Sequence, residues 1–369
     1  MEGPTPISSL IHAATLVTAG IFLLLRLSLL LSYSYFTLFS IIILGTLTTL
    51  LGGSLALTSL DIKELIAYST ISQLGYMMTI IGLKFFNLSF FHLIFHAYFK
   101  ALLFLTAGAI IHAVLDIQDL RNLGGLFNFL PISYIVLTLG LISLSGIPFT
   151  SGFYSKEAII NSSFSILNSH ITHSYIYIFT IISAICTIIY SYQFLLKIFF
   201  KTTNLSITII KHIHHGAHFI SLALTFISII TLFIGFLFYK YIYLYNLPIS
   251  FYNLNINIII KILPLLFTFI IFILINSISH FYPIQISILE HQFFFKQLYK
   301  SIASSILTLA YRIFYKIFDY GIIDLLFPIT SHILYNFSQN INNILIPNHK
   351  LHLIPLFITN LILIIIILT

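Results

Sequence analysis

Of 369 residues, 59% are apolar and only 7% charged, and the mean hydropathy is +1.07. Soluble domains carry about 25% charged residues, so that class is excluded. A transmembrane barrel is excluded too, because strand-like alternation is absent and the apolar runs are far longer than its strands. The net charge of +7 therefore marks loops on one side of a membrane, or working charges within it, and not a nucleic-acid surface.

The abundance of Ile, Phe (37) and Tyr (22), with no Trp, suggests an AT-rich coding genome of the organellar kind. The single cysteine, Cys186, lies in an apolar run and rules out a disulfide framework. The chain is read as all-α, a polytopic membrane helix bundle. Hydropathy and helix breakers place about nine spans at 7–25, 36–58, 63–83, 88–112, 131–161, 174–196, 217–239, 256–278 and 352–368. His12 falls in the first, soon after "GPTP". The fifth is too long for one crossing and is interrupted at "SGIPFTSG", where Gly146, Pro148 and Gly152 predict a broken helix. Such a break frees backbone groups at membrane depth, and survives only where it is buried or lines a wet cavity.

Lys63, Arg121, Lys197, Lys201 and Lys211 fall in even-numbered loops, against Arg26, Lys84 and Lys240 in odd ones. This asymmetry predicts that the even loops and the N-terminus face the cytoplasm or matrix, and the C-terminus the opposite side. The domains are expected at 1–285 (transmembrane bundle), 286–350 (a long amphipathic helix along the membrane surface) and 351–369 (a C-terminal anchor). In the second, Lys296, Lys300, Ser304, Thr308, Arg312 and Lys316 recur at every fourth position, a stripe that winds slowly round a helix. Gly321 and Pro328 are expected to break or kink it.

A lysine at mid-membrane costs about 2.5–3.5 kcal/mol on insertion scales, so charges inside spans ask for a role. In "FHLIFHAYFKALLF" His92, His96 and Lys100 share one helix face, stacked about 6 Å per step, a spacing suited to proton relay through intervening water. A metal site is the weaker reading, because no third ligand is nearby and Lys100 repels a cation. Lys156 and Glu157 follow the helix break as a second proton site, with an interfacial ion pair as the alternative. His12 alone is equally a hydrogen-bonded core histidine, and His112 equally interfacial. The cluster "HIHHGAH" (His212, His214, His215, His218) reads as a solvated loop. No nucleotide fingerprint or iron–sulfur motif occurs, so these residues are equipped to move protons and not electrons.

"GPTPISSLIHAATLVTAG", "DIKELIAYSTISQLGYM", "FHLIFHAYFKALLFLTAGAIIHA", "DIQDLRNLGGL" and "GIPFTSGFYSKE" follow in order, and together they resemble the second half of the antiporter-like subunit 5 family of respiratory complex I, the NADH:ubiquinone oxidoreductase. The likeness is dense over 1–161 and thinner beyond; the long amphipathic stretch and last span are similar to that family's lateral helix and anchor. The resemblance implies a proton-translocating subunit of the mitochondrial inner membrane, with its N-terminus on the matrix side, its C-terminus on the intermembrane-space side, and no redox cofactor or metal of its own. NADH, FMN, iron–sulfur clusters and ubiquinone are then expected elsewhere in the complex.

The same resemblance maps the family's central lysine to Lys100, its neighbouring histidines to His92 and His96, its bridging histidine to His12 and its broken-helix lysine to Lys156. Glu157 stands where an Asp is usual, and Glu64 where a basic residue is more frequent. The family's first half, with roughly seven spans and the Glu–Lys pair that admits protons, has no counterpart in these motifs. A separately encoded N-terminal half is therefore an expected partner, unless the sequence is part of a longer chain; other antiporter-like membrane subunits and lipid are expected too, and no nucleic acid. The alternatives are a subunit of a multisubunit cation/proton antiporter and a structural scaffold that no longer conducts.

Overall fold

A computed structural model describes residues 3–167, 174–213, 218–244, 294–345 and 358–362. The chain divides into two compact units, Met1–Gln292 and Phe293–Thr369. Among the described residues the regular structure of both is helical, and the only β-type pairing is an isolated bridge between Asp61 and Asp119.

The first unit is a bundle of α1 (Thr5–Arg26), α2 (Tyr35–Thr58), α3 (Ile62–Gly82), α4 (Phe86–Ala113), α5 (Pro131–Ser145), α6 (Ser151–Leu167), α7 (Ser174–Phe200) and α8 (His218–Leu244). Six helices among the described residues are long and apolar enough to cross a membrane: α1, α2, α4, α7, the stretch Phe219–Phe238 of α8, and Gln297–Asn343 of the second unit. The chain is a multi-pass membrane protein. The expected spans at 256–278 and 352–368 lie outside the described residues, except for a helical turn at 358–362.

The interior of the bundle is built around α4, whose Phe95, Phe99, Leu103, Phe104, Ala107 and Ile110 are buried in one apolar cluster with Ile62, Leu65 and Ile66 of α3 and Leu137 and Leu141 of α5. Large apolar side chains also cover the outside, among them Leu16, Leu23, Phe36, Phe226 and Phe233. A bundle apolar both within and without is what a lipid solvent selects, since a polar outer face gains nothing there. The helices α2 and α3 pack closely because glycines meet backbone: at Gly52 an added Cβ would lie against the Ser72 amide, and at Gly75 against that of Thr49.

At one end of the bundle the loops interlock. The Ile62 amide donates to the Gln118 carbonyl (3.0 Å), and the Leu120 amide to that of Leu60 (2.8 Å). The Asn204 side chain donates to the Arg121 carbonyl (2.8 Å). Lys63, Arg121 and Lys201 belong to this end, which brings three of the even-loop charges together. The Arg121 guanidinium donates to both carboxylate oxygens of Asp119, the shortest contact being 2.6 Å. These hydrogen bonds hold the Asp119 carboxyl below the usual carboxylate range. A depressed carboxyl stabilises the fold above the unfolded-state pKa, about 3.9 for Asp, and the contribution is lost as pH falls through the folded value. Asp119→Asn is expected to lower thermal stability slightly at pH 7, with the gap from wild type closing as pH falls below about 4. Melting in detergent across that range checks it.

In the second unit a helix runs through Phe295–Ala310, Tyr311–Ile323 and Asp324–Leu345, the middle piece with π-helical hydrogen bonding. The break expected at Gly321 and Pro328 is absent: the helix continues through both residues. Gly321 is absorbed in the wider π turn, and Pro328 follows the return to α-helical pairing.

Candidate functional site

The α4 helix carries His92, His96 and Lys100 into the interior of the bundle, all three buried, Lys100 with 0% exposure. Their spacing puts them on one helical face, as the sequence implies, and the rings of His92 and His96 lie 6.4 Å apart. Phe99, between them and Lys100 on the helix, meets the His96 ring edge-on at 5.4 Å. Apolar neighbours thus surround the row while its polar atoms face α3 and α6.

The partners come from residues that the charge pattern does not single out. On α3, Ser69, Gln73 and Tyr76 recur at i, i+4 and i+7 and are buried. Lys100 Nζ donates to Ser69 Oγ at 2.5 Å. His92 Nε2 pairs with Gln73 Oε1 at 3.1 Å, and His92 Nδ1 with Ser155 Oγ at 2.9 Å. Ser155 is the neighbour in sequence of Lys156, so His92 joins the α4 row to the broken helix. Both ring nitrogens of His96 are buried without a hydrogen-bond partner among the described residues. Buried polar atoms in a native interior are almost always paired with protein or water, so water between His92 and Lys100 is what this row requires.

The break itself is formed as the glycines and proline dictate. The α5 helix ends on Gly146, which turns left-handed (φ 81°), and Phe149 is also at positive φ (70°) before α6 begins at Ser151. Ending the helix frees the Ser145 carbonyl, and Lys156 Nζ donates to it at 3.2 Å. A second hydrogen bond runs from Lys156 Nζ to Thr187 Oγ1 of α7 at 2.6 Å, and Nζ lies 6.0 Å from the centre of the Tyr76 ring. The lysine is thus solvated by one loose carbonyl, one hydroxyl and one aromatic face. Glu157, half-buried, follows it.

His12 stands apart from this network. It is half-buried in a π-helical stretch of α1, Ser8–Thr15, which packs against α4. Nearby, the Thr5 side chain abuts Gly108, two turns beyond Lys100 on α4. His12 has no hydrogen-bond partner among the described residues, and π-helical turns recur at functional sites. His112 is exposed, and the side chains of the "HIHHGAH" histidines lie outside the described residues. No group of three or more His, Cys, Asp or Glu comes together among the described residues in a way that could hold a metal. What the arrangement offers chemically is a line of proton donors and acceptors, Ser155–His92–His96–Lys100–Ser69, through an apolar interior, with Lys156 one residue from Ser155 on α6.

Residues 1–183 match the family model described as NADH:quinone oxidoreductase/Mrp antiporter, TM. NADH-ubiquinone oxidoreductase chain 5 of Acanthamoeba castellanii is 37% identical over 367 residues, covering 92% of this chain and 54% of that protein. The chain 5 of Hypocrea jecorina is 46% identical over 237 residues, covering 64% of this chain and 34% of that protein. A chain of the Mrp complex from Dietzia sp. DQ12-45-1b shares the fold, with a TM-score of 0.63 at 23% identity over 90% of this chain and 38% of that one. The chain spans about half the length, or less, of the curated relatives it matches. On the family match and these relatives, residues 1–183 of the chain belong to the NADH:quinone oxidoreductase/Mrp antiporter transmembrane family.

Proposed function

We propose that the chain forms the second half of a proton-translocating membrane-arm subunit of mitochondrial complex I and couples NADH:ubiquinone oxidoreduction to proton movement. The observation that carries this reading is the buried row of His92, His96 and Lys100, tied through Ser155 to the broken helix that holds the buried Lys156. Four ionisable groups held in an apolar bundle are costly to fold and are retained where charge must move. His12, packed in the π-helical stretch beyond Lys100, continues the line, and Lys156 with Glu157 forms its outlet. The chain serves the enzyme without redox chemistry of its own; NADH, FMN, iron–sulfur clusters and ubiquinone act on other subunits. In this reading it lies in the inner membrane with its N-terminus on the matrix side and its C-terminus on the intermembrane-space side, the interlocked basic loop end facing the matrix.

The Phe295–Leu345 helix lies along neighbouring antiporter-like subunits. Its stretch Gln297–Asn343, 47 residues long, is more than twice the ~20 that a crossing needs and extends ~70 Å at 1.5 Å per residue. Its polar stripe suits a surface position. Gentle-detergent extraction, native sizing and mass spectrometry of the co-migrating chains test the assembly. Recovery in a large NADH-oxidising complex is the expected result. Recovery without any NADH-oxidising partner moves the assignment to a cation/proton antiporter.

A further inference from the structure

His92 is the only member of the line hydrogen-bonded at both ring nitrogens by described side chains, and the two partners differ in kind. Ser155 is a hydroxyl, able to donate or accept. Gln73 is an amide, whose oxygen accepts and whose nitrogen donates. In the observed orientation the amide oxygen faces His92 Nε2, so the ring carries its hydrogen on Nε2 and Ser155 donates to Nδ1. Turned by half a rotation, the amide presents its NH2 to a bare Nε2, the ring hydrogen sits on Nδ1, and Ser155 accepts from it. In that second state the Ser155 hydroxyl donates to the Gly152 carbonyl, which lies 3.3 Å away.

The surroundings can hold the amide in either orientation. Gln73 Nε2 is buried and makes no hydrogen bond of good geometry among the described residues. The buried Tyr190 hydroxyl lies beside the Gln73 side chain, and a hydroxyl serves either end of an amide. Ser69 and Ser72 lie close to the same hydroxyl. The titratable groups round His92 are His96 on its own helix, Tyr76 on α3 and Lys156 on α6.

We infer that Gln73 is a two-position amide switch which, with Ser155, makes both neutral forms of His92 equally well hydrogen-bonded, so that the ring takes a proton at one nitrogen and releases one from the other. A proton arriving at Nδ1 through the Ser155 hydroxyl gives an imidazolium with hydrogen on both nitrogens. Loss of the Nε2 hydrogen toward His96, through water, leaves the ring neutral with hydrogen on Nδ1. The half-turn of Gln73 then meets the bare Nε2 with a donor. The switch runs equally in reverse, and no bond other than those to the moving hydrogens is made or broken. Gln73 is a positioning residue; it accepts no proton itself.

This rests on the proton-translocation reading above, and the test separates the two. Assembled complexes carrying Gln73→Leu, Gln73→Glu, Ser155→Ala, Ser155→Thr and, for reference, Lys100→Met are compared for protons moved per NADH oxidised, rate and solvent deuterium isotope effect. The switch needs both a donor and an acceptor at position 73. Leu supplies neither and an ionised Glu only accepts, so both should slow coupled turnover at least ~10-fold, less than the ~10²–10⁴ of a lost acid or base because Gln73 only positions, with a larger isotope effect. Ser155→Ala should behave likewise and Ser155→Thr recover. Wild-type turnover in Gln73→Glu would show that a fixed acceptor suffices and overturn the switch, as would wild-type turnover in Gln73→Leu. Should neither Gln73 variant assemble, the Ser155 pair decides: a wild-type rate and isotope effect in Ser155→Ala overturns the switch. Normal pumping by Lys100→Met overturns the underlying reading instead.

Discussion

Lys100→Met is expected to abolish most proton pumping while leaving the complex assembled. The reason lies in what the substitution leaves behind. Lys100 is fully buried midway along α4, and its ammonium has one described partner, Ser69 Oγ. Ser69 also donates to the Ile66 carbonyl at 2.7 Å, so it keeps a hydrogen bond when the lysine is gone. Methionine matches the length of the lysine stem and is flexible enough to fill the same channel between α3 and α4. It also removes an insertion cost of about 2.5–3.5 kcal/mol for a central lysine. Stability is therefore retained or raised. The proton path, by contrast, loses the group next to His96, whose two ring nitrogens have no partner among the described residues. Removing a positioned acid or base lowers a proton-transfer rate by about 10²–10⁴. The ratio of protons moved to NADH oxidised in the purified, reconstituted complex measures this. A wild-type ratio would take Lys100 out of the path, and a complex that fails to assemble would show that the lysine is needed for packing.

The charges were legible in the sequence because apolar spans make them conspicuous. His92, His96 and Lys100 keep the helical spacing that places them on one buried face, and the glycines and proline of "SGIPFTSG" locate the break between Ser145 and Ser151. Their partners were much harder to see. Ser and Thr are frequent in membrane helices and satisfy themselves on their own backbone, as Ser162 does on Ile159 and Ser163 on Ile160. A hydroxyl therefore carries little information until its neighbours are known. Gln73 was the exception that could have been found. A long amide in the middle of "AYSTISQLGYM" has no backbone acceptor of its own in a helix, and Ser69, Gln73 and Tyr76 share its face. The π-helical turn around His12 leaves no trace in hydropathy, because an inserted residue shifts the hydrogen-bond register without changing which residues are apolar. Continuation of the last helix through Gly321 was missed for the same reason: a single breaker was read against an α-helix, whereas the local register is π. Pro328 sits inside the α-helical piece that follows, and nothing in the sequence marked it as tolerated there.

Gly152→Val is expected to prevent formation of the broken-helix site altogether. The start of α6 folds back so closely on the end of α5 that a Cβ at Gly152 would overlap the Ser143 carbonyl oxygen. That obstacle is backbone inside a helix, which cannot rotate away as a side chain can. Overpacking of a tight core costs about 1–3 kcal/mol where neighbours can shift, and the larger end of that range applies here because α5 is also held against α4 through Leu137 and Leu141. Separation of α5 from α6 draws Lys156 away from the Ser145 carbonyl and the Thr187 hydroxyl, which supply its two described hydrogen bonds. A buried ammonium then loses its solvation while its charge remains, which is the more damaging part. Gly152→Ala should show the same effect in milder form, since one methyl meets the same oxygen. Lys156→Met supplies the contrast: it removes the charge and leaves the close approach of α5 and α6 untouched, so assembly should survive while pumping falls. The amount of assembled complex in the membrane, set against its pumping ratio, separates these outcomes. Full assembly and wild-type pumping in Gly152→Val would mean that the two half-helices do not approach as closely as this geometry has them, and that Lys156 finds its proton partners elsewhere.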